Sequence, residues 1–195
     1  MSNIFIISGP SGSGQDSVIE GLRKILPIER VITTTTRPMR PGESQKNPYY
    51  FIGKTEFKKA IKENKFFEHA EEYNGHYYGV ARREINRAKR SKKINIWKME
   101  YKGVITAKKL IPGITAILIY APLKNLEKRI RQRGKNVSEK FIKERMDYTK
   151  QFLKHKNIYD YKVINKEGEL NKAVNDVAKI IKKKLKLRPG RLDKS

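Results

Sequence analysis

Apolar residues fall into two rhythms along this chain, short uninterrupted runs and longer stretches at helical spacing, and the two alternate almost throughout. The run Asn3 to Ser8 (NIFIIS) predicts a buried strand. A glycine-rich turn follows, and then Val18, Ile19, Leu22, Ile25 and Leu26 recur on one face of a helix over Asp16 to Leu26. Val31 to Thr34 reads as a second strand, and Arg37 to Gly53, rich in Pro, Gly and Tyr, as an irregular segment or small sheet. Beyond it the pattern predicts a helix over Thr55 to Asn64, a strand over Phe66 to Tyr73, a helix over Arg82 to Arg90 and a strand over Ile94 to Met99. Gly103 to Leu110 reads as a helix, Thr115 to Tyr120 (TAILIY) as a buried strand, and Leu123 to Arg133 and Ser138 to Lys156 as helices. A short strand at Lys162 to Ile164 and a helix over Leu170 to Leu187 complete the series. Strands alternating with helices imply an α/β fold, its parallel sheet flanked by helices and its ligands at the carboxyl ends of the strands.

Length and composition narrow this picture. The chain has 195 residues, 37% of them hydrophobic, enough for one core and one folding unit. It has no cysteine, which rules out disulfides and thiolate metal sites. No basic region precedes the first short apolar run, and no apolar stretch approaches the roughly 20 residues of a membrane span. A soluble, cytoplasmic protein is the expectation.

The formal charge of +25 invites a nucleic-acid reading. Its distribution argues against that as the main role. Lys179 to Ser195 holds eight Lys/Arg and one acid, so the remainder still carries +18, spread over helical patterns such as Lys54 to Lys65 where Lys and Glu surround an apolar stripe. Residues 188–195 read as a basic tail beyond the folded unit.

Between the first strand and the first helix stands Gly9-Pro10-Ser11-Gly12-Ser13-Gly14. In that context a row of backbone N–H groups and the positive end of a helix can meet phosphate oxygens. A P-loop of this kind ordinarily closes with Gly-Lys-Ser/Thr, the lysine reaching the β- and γ-phosphates and the hydroxyl binding Mg²⁺. Here the sequence is Gly14-Gln15-Asp16-Ser17, and the cation is missing from its place.

A second set is TTRPMRPGE at 35–43, Tyr49, FFEHA at 66–70 and YYG at 77–79. Taken singly, Arg37 and Arg40 read as surface cations, Tyr49 and Tyr78 as core rings and Glu68 as a strand residue. Together with the glycine-rich loop, in this order and spacing, they resemble the guanylate kinases from about Asn3 to about Ile181. The resemblance implies a P-loop kinase with a small GMP-binding insertion (about 34–90) and a helical lid (about 123–156) within a domain of residues 1–187. It implies ATP and GMP as partners and Mg²⁺ arriving with ATP.

On that resemblance Arg37 and Arg40 offer planar forks to the GMP phosphate, with Tyr49 and Tyr78 as neutral donors. Glu68 accepts from N1–H and the exocyclic amine of guanine, and the Thr33 hydroxyl donates to O6. Arg129, Arg133 and Arg145 match the arginines that close over the transferring phosphoryl group, and Asn165 matches an adenine-side residue. Gly9, Pro10, Ser11, Gly12, Ser13, Gly14, Gln15, Asp16 and Ser17 form the ATP side.

Two departures stand out. Val80 follows YYG where the family has Ser or Thr, which implies a lost guanine contact. Trp97-Lys98-Met99-Glu100-Tyr101-Lys102-Gly103 stands where the family reads Leu-Asp-Ile-Asp-x-Gln-Gly. Lys98 thus replaces an acid and is a candidate for the missing phosphate cation, Asp16 takes the hydroxyl position as a candidate Mg²⁺ ligand, and Glu100 keeps the second acid on the guanine side. The simpler reading has Lys98 reaching solvent and Asp16 capping a helix. The leading activity is ATP-dependent phosphorylation of GMP and dGMP. A guanylate kinase-like binding module that has lost catalysis, or an enzyme like the ribose 1,5-bisphosphate phosphokinases, remains open. His69, His76 and His155 have no metal-ligand spacing.

Overall fold

The structure, a computed structural model, describes residues 3–71, 75–132 and 138–186. Its centre is a five-stranded parallel sheet in the order β10-β9-β1-β8-β2. These strands are β1 (Ile4–Ser8), β2 (Ile28–Arg30), β8 (Ile94–Lys98), β9 (Thr115–Tyr120) and β10 (Tyr161–Ile164). β1 lies in the middle with all five residues buried, which is why it reads as a continuous apolar run and not as an alternation.

Successive residues of β1 face opposite layers. Phe5 and Ile7 join Val18, Ile19 and Leu22 of helix α1 (Gln15–Arg23) and Ala173, Val174, Val177 and Ile181 of helix α7 (Leu170–Lys184). Ile4 and Ile6 join Trp97, Ile85 and Ala88 of helix α3 (Arg82–Arg90), Val104 and Ala107 of helix α4 (Tyr101–Leu110), and Phe152 of helix α6 (Glu139–Lys154). Each of the Val, Leu, Ile and Phe side chains among them contributes about 1.5–3 kcal/mol on full burial. The two layers therefore hold the strand ends, and the loops that follow them, in fixed relation.

A second, mixed sheet has the order β4-β5-β3-β7-β6, from β3 (Thr33–Thr35), β4 (Ser44–Gln45), β5 (Pro48–Phe51), β6 (Phe66–Glu71) and β7 (Tyr77–Ala81). Helix α2 (Lys54–Lys62) covers part of it, with Phe57 stacked on Phe66 at 4.3 Å. Helix α5 (Leu123–Gln132) precedes α6, and a 3₁₀ turn over Lys156–Ile158 follows it.

The sequence pattern and the structure differ in several places, among them the end of α1, at Arg23 and not Leu26. Where one strand is expected over Val31 to Thr34, β2 ends at Arg30 in the central sheet and β3 begins at Thr33 in the second, with Val31 and Ile32 between them. At the crossing, Val31 N–H still bonds Ile96 O at 2.9 Å, and Ile32 N–H is taken by the buried Glu84 carboxylate at 2.9 Å. β7 was not foreseen, because its Tyr-Tyr-Gly start reads as a loop motif until antiparallel pairing with β6 and β3 supplies its backbone partners. Helix α6 stops at Lys154, and Lys156, assigned to its end, begins the tighter turn instead. Arg133 and the tail 188–195 lie outside the described residues. Among the described residues no helix is long and apolar enough to cross a membrane.

Candidate active site

One cavity of about 670 Å³ opens between the two sheets and α6. Its floor is the loop from Gly9 to Gln15, which leaves β1 at the carboxyl edge of the central sheet and runs into α1. Helix α1 starts with its N-cap, Gly14, in the left-handed region at φ 86°. A Cβ there would also stand 2.4 Å from Asn165 Nδ2, so this position needs glycine on both counts. Asn165, buried just beyond β10, donates to Ser13 O at 2.8 Å and fixes the loop from behind. Arg129 works from the other side, donating to Gly12 O at 3.2 Å and Asn165 O at 3.1 Å.

A cation stands near the loop on another strand. β1 and β8 are parallel with Ile7 opposite Lys98, so Lys98 ends beside the start of the loop. Its Nζ lies 2.7 Å from Asp16 Oδ2, and Arg30 Nη2 lies 2.6 Å from Asp16 Oδ1. Burial works to raise the Asp16 carboxyl, but these two cations bring it down to about 2. Gln15 faces the same cavity, and its side-chain amide folds back to donate to Gly9 O.

The opposite wall is built from the second sheet and β8. Thr33, Arg40, Tyr49, Glu68, Tyr78 and Glu100 all line it. Glu68 is buried, and burial pushes its carboxyl up to about 7. Gly103 of α4 makes room for it, since a Cβ there would sit 3.2 Å from Glu68 Oε1. Glu100 is also held above the ordinary carboxylate range by burial, against the opposing effect of the Tyr148 hydroxyl that donates to Oε2 at 3.0 Å. Tyr49 and Tyr78 meet edge to face at 6.0 Å.

Arg37 is placed differently from Arg40. Its guanidinium is buried, 2.8 Å from Glu43 Oε1, and lies 5.5 Å from each of the Tyr49 and Phe51 ring centroids. It stands behind the cavity wall, whereas Arg40 is exposed at the opening, its backbone N–H donating to the other Glu43 oxygen. Arg145 lines the cavity from α6, with its guanidinium 5.1 Å from the Phe141 ring. Ser17 is exposed on α1, outside the lining. Val80 points into the central core with Ile4 and Trp97. Sequence reasoning missed Arg30, Glu43 and Tyr148 as partners of site residues. Glu43 lay inside a motif already singled out, while Arg30 and Tyr148 carry no local signal.

Among the described residues no group of three or more His, Asp or Glu is arranged to hold a metal ion. Asp16 already has a cation on each oxygen, and Asp16, Lys98 and Arg30 together carry a net positive charge. That set does not fit a direct Mg²⁺ ligand.

A glycine-rich loop between the central strand and a helix of a parallel sheet, facing a pocket with a buried carboxylate and tyrosines, is the arrangement of a P-loop kinase fold. A model of the guanylate kinase family matches residues 1–184, and the chain belongs to that family. It is 39% identical over 182 residues to the guanylate kinase of Buchnera aphidicola subsp. Schizaphis graminum, covering 91% of this chain and 86% of the relative. It is 39% identical over 165 residues to that of Hydrogenovibrio crunogenus, covering 84% and 80%. The crystal structure of guanylate kinase from Anaplasma phagocytophilum superposes with a TM-score of 0.74 at 21% identity, over 95% of this chain and 87% of that one, a likeness of fold.

Proposed function

We propose that this chain transfers the γ-phosphoryl group of ATP to the 5′-phosphate of GMP or dGMP, giving ADP and GDP or dGDP. The observation that carries the reading is the single cavity joining the glycine-rich loop to Glu68, Tyr49 and Tyr78. A donor polyphosphate on the loop and a guanine on Glu68 then share one cavity, as in-line transfer requires. Ionised Glu68 accepts from N1–H and the exocyclic amine, a donor pair that adenine lacks, and Thr33 faces the same space. Arg40, Tyr49 and Tyr78 serve the acceptor phosphate, Arg37 braces the ring that one of them presents, and Arg145 with Arg133 serves the transferring group. Arg129 and Asn165 act through the loop they hold. Mg²⁺ arrives with ATP on the phosphates and its own water, and shields their charge. The expected setting is the cytoplasm, where both nucleotides are found.

A coupled assay of ADP release with GMP, dGMP, AMP and ribose 1,5-bisphosphate tests this. Turnover confined to the guanine nucleotides supports it. Turnover of the ribose bisphosphate alone, or binding of GMP with no transfer, would replace it with one of the other two readings.

A further inference from the structure

Position 15, where a P-loop carries its lysine, holds a neutral side chain whose amide is engaged with the loop's own Gly9 carbonyl. The loop itself therefore brings no cation to a bound polyphosphate. Two cations nevertheless stand beside it, Lys98 on the neighbouring strand and Arg30 on the next, and both are fixed by one carboxylate, Asp16. Lys98 lines the cavity together with the loop, and 28% of its side chain remains exposed. Arg30 Nε is buried without a hydrogen-bond partner among the described residues, and the contact of Nη2 with Asp16 orients that guanidinium.

We propose that Lys98 supplies the polyphosphate-facing cation of this site from the neighbouring strand, and that Asp16 is the residue that positions it. This rests on the nucleotide-kinase reading above. As the bond between the γ-phosphorus and the β–γ bridging oxygen breaks and a bond forms to an acceptor phosphate oxygen, negative charge gathers on the oxygen that leaves with ADP. A preoriented ammonium at the loop stabilises that charge. The β1–β8 register brings the Cα of residue 98 alongside the end of β1, so a long side chain from that position spans toward the loop as one from position 15 would. Asp16 then acts on Lys98, and not on the metal.

The test begins with binding, in chelator, by calorimetry. Lys98→Ala and Lys98→Met should each weaken ATP and inorganic tripolyphosphate at least about tenfold, with AMP and GMP changed less than about threefold and circular dichroism unchanged. In turnover Lys98→Ala should lose about 10²-fold in kcat, the order for one preoriented charge. Gln15→Lys combined with Lys98→Asp should recover at least about tenfold over Lys98→Asp alone. Asp16→Asn should lower kcat and move the titration of the Lys98 ammonium, followed by NMR, to lower pH. It should leave the Mg²⁺ concentration for half-maximal rate unchanged. ATP binding or turnover by Lys98→Ala equal to the parent's overturns the assignment of Lys98. A rise in the Mg²⁺ requirement of Asp16→Asn overturns the positioning role. A parent that binds ATP through Lys98 yet phosphorylates no GMP would sink the GMP reading and leave this one standing.

Discussion

Tyr148, in the middle of α6, donates its hydroxyl to Glu100 Oε2 at 3.0 Å and so ties that helix to the segment leaving β8. Burial holds Glu100 toward its neutral form, and the Tyr148 bond works the other way. Tyr148→Phe should therefore leave a more protonated Glu100. Glu100 lines the wall opposite the glycine-rich loop, so on the proposed GMP role of that wall KM for GMP is expected to rise with little change in KM for ATP. Steady-state kinetics with each substrate varied in turn checks this.

On the proposed guanine-binding role of Glu68, recognition should depend on pH. Its carboxyl is raised from 4.5 to about 7 by burial, and only the ionised form accepts from both guanine donors. Affinity should fall as the pH drops below 7, approaching tenfold per unit. Guanosine is the better probe, because it has no phosphate of its own to titrate. A flat profile between pH 5.5 and 7.5 would contradict it.

The same shift predicts a stability effect of opposite sense. The folded protein binds this proton more tightly than the unfolded chain, so free-protein stability is lost as pH rises from 4.5 through 7, by about 3 kcal/mol. Glu68→Gln removes that dependence. Its Tm relative to the parent's should rise between pH 5 and pH 8 in nucleotide-free protein, while guanosine binding is lost.

Arg37 and Glu43 form a mostly buried pair, with side chains 9% and 16% exposed. Removing either partner leaves a charge unpaired in a confined setting, at a cost of about 3 kcal/mol. Arg37→Ala and Glu43→Ala should each lower the urea midpoint, and the double variant should be less destabilised than the sum of the two.

Discrimination against AMP follows from the same carboxylate. A site built around a hydrogen-bonding pair rejects an analogue that leaves it unpaired by about 10⁴ in kcat/KM. Val80, buried in the core, is outside the lining of this pocket and should not weaken that ratio. Comparable rates for AMP and GMP would refute the base assignment.

What the sequence determined by itself is what depends on near neighbours. Hydrophobic period places the strand β1, the helices α3 and α5 and the buried strand β9, because a run buried on both faces or a stripe at helical spacing is a property of the segment alone. The order of motifs carries the family, and the missing lysine at position 15 can be read from one tetrapeptide. The passage of the chain between sheets at Val31 and Ile32, and the strand at Tyr77, depended on hydrogen-bond partners from β8, α3 and β6 that lie far along the sequence. Only the tertiary structure decided that Lys98 meets Asp16, 82 residues away, that Arg30 joins them, and that Arg37 stands behind the pocket wall against Glu43. Parallel strand register and side-chain burial set those encounters, and neither is a property of any single segment.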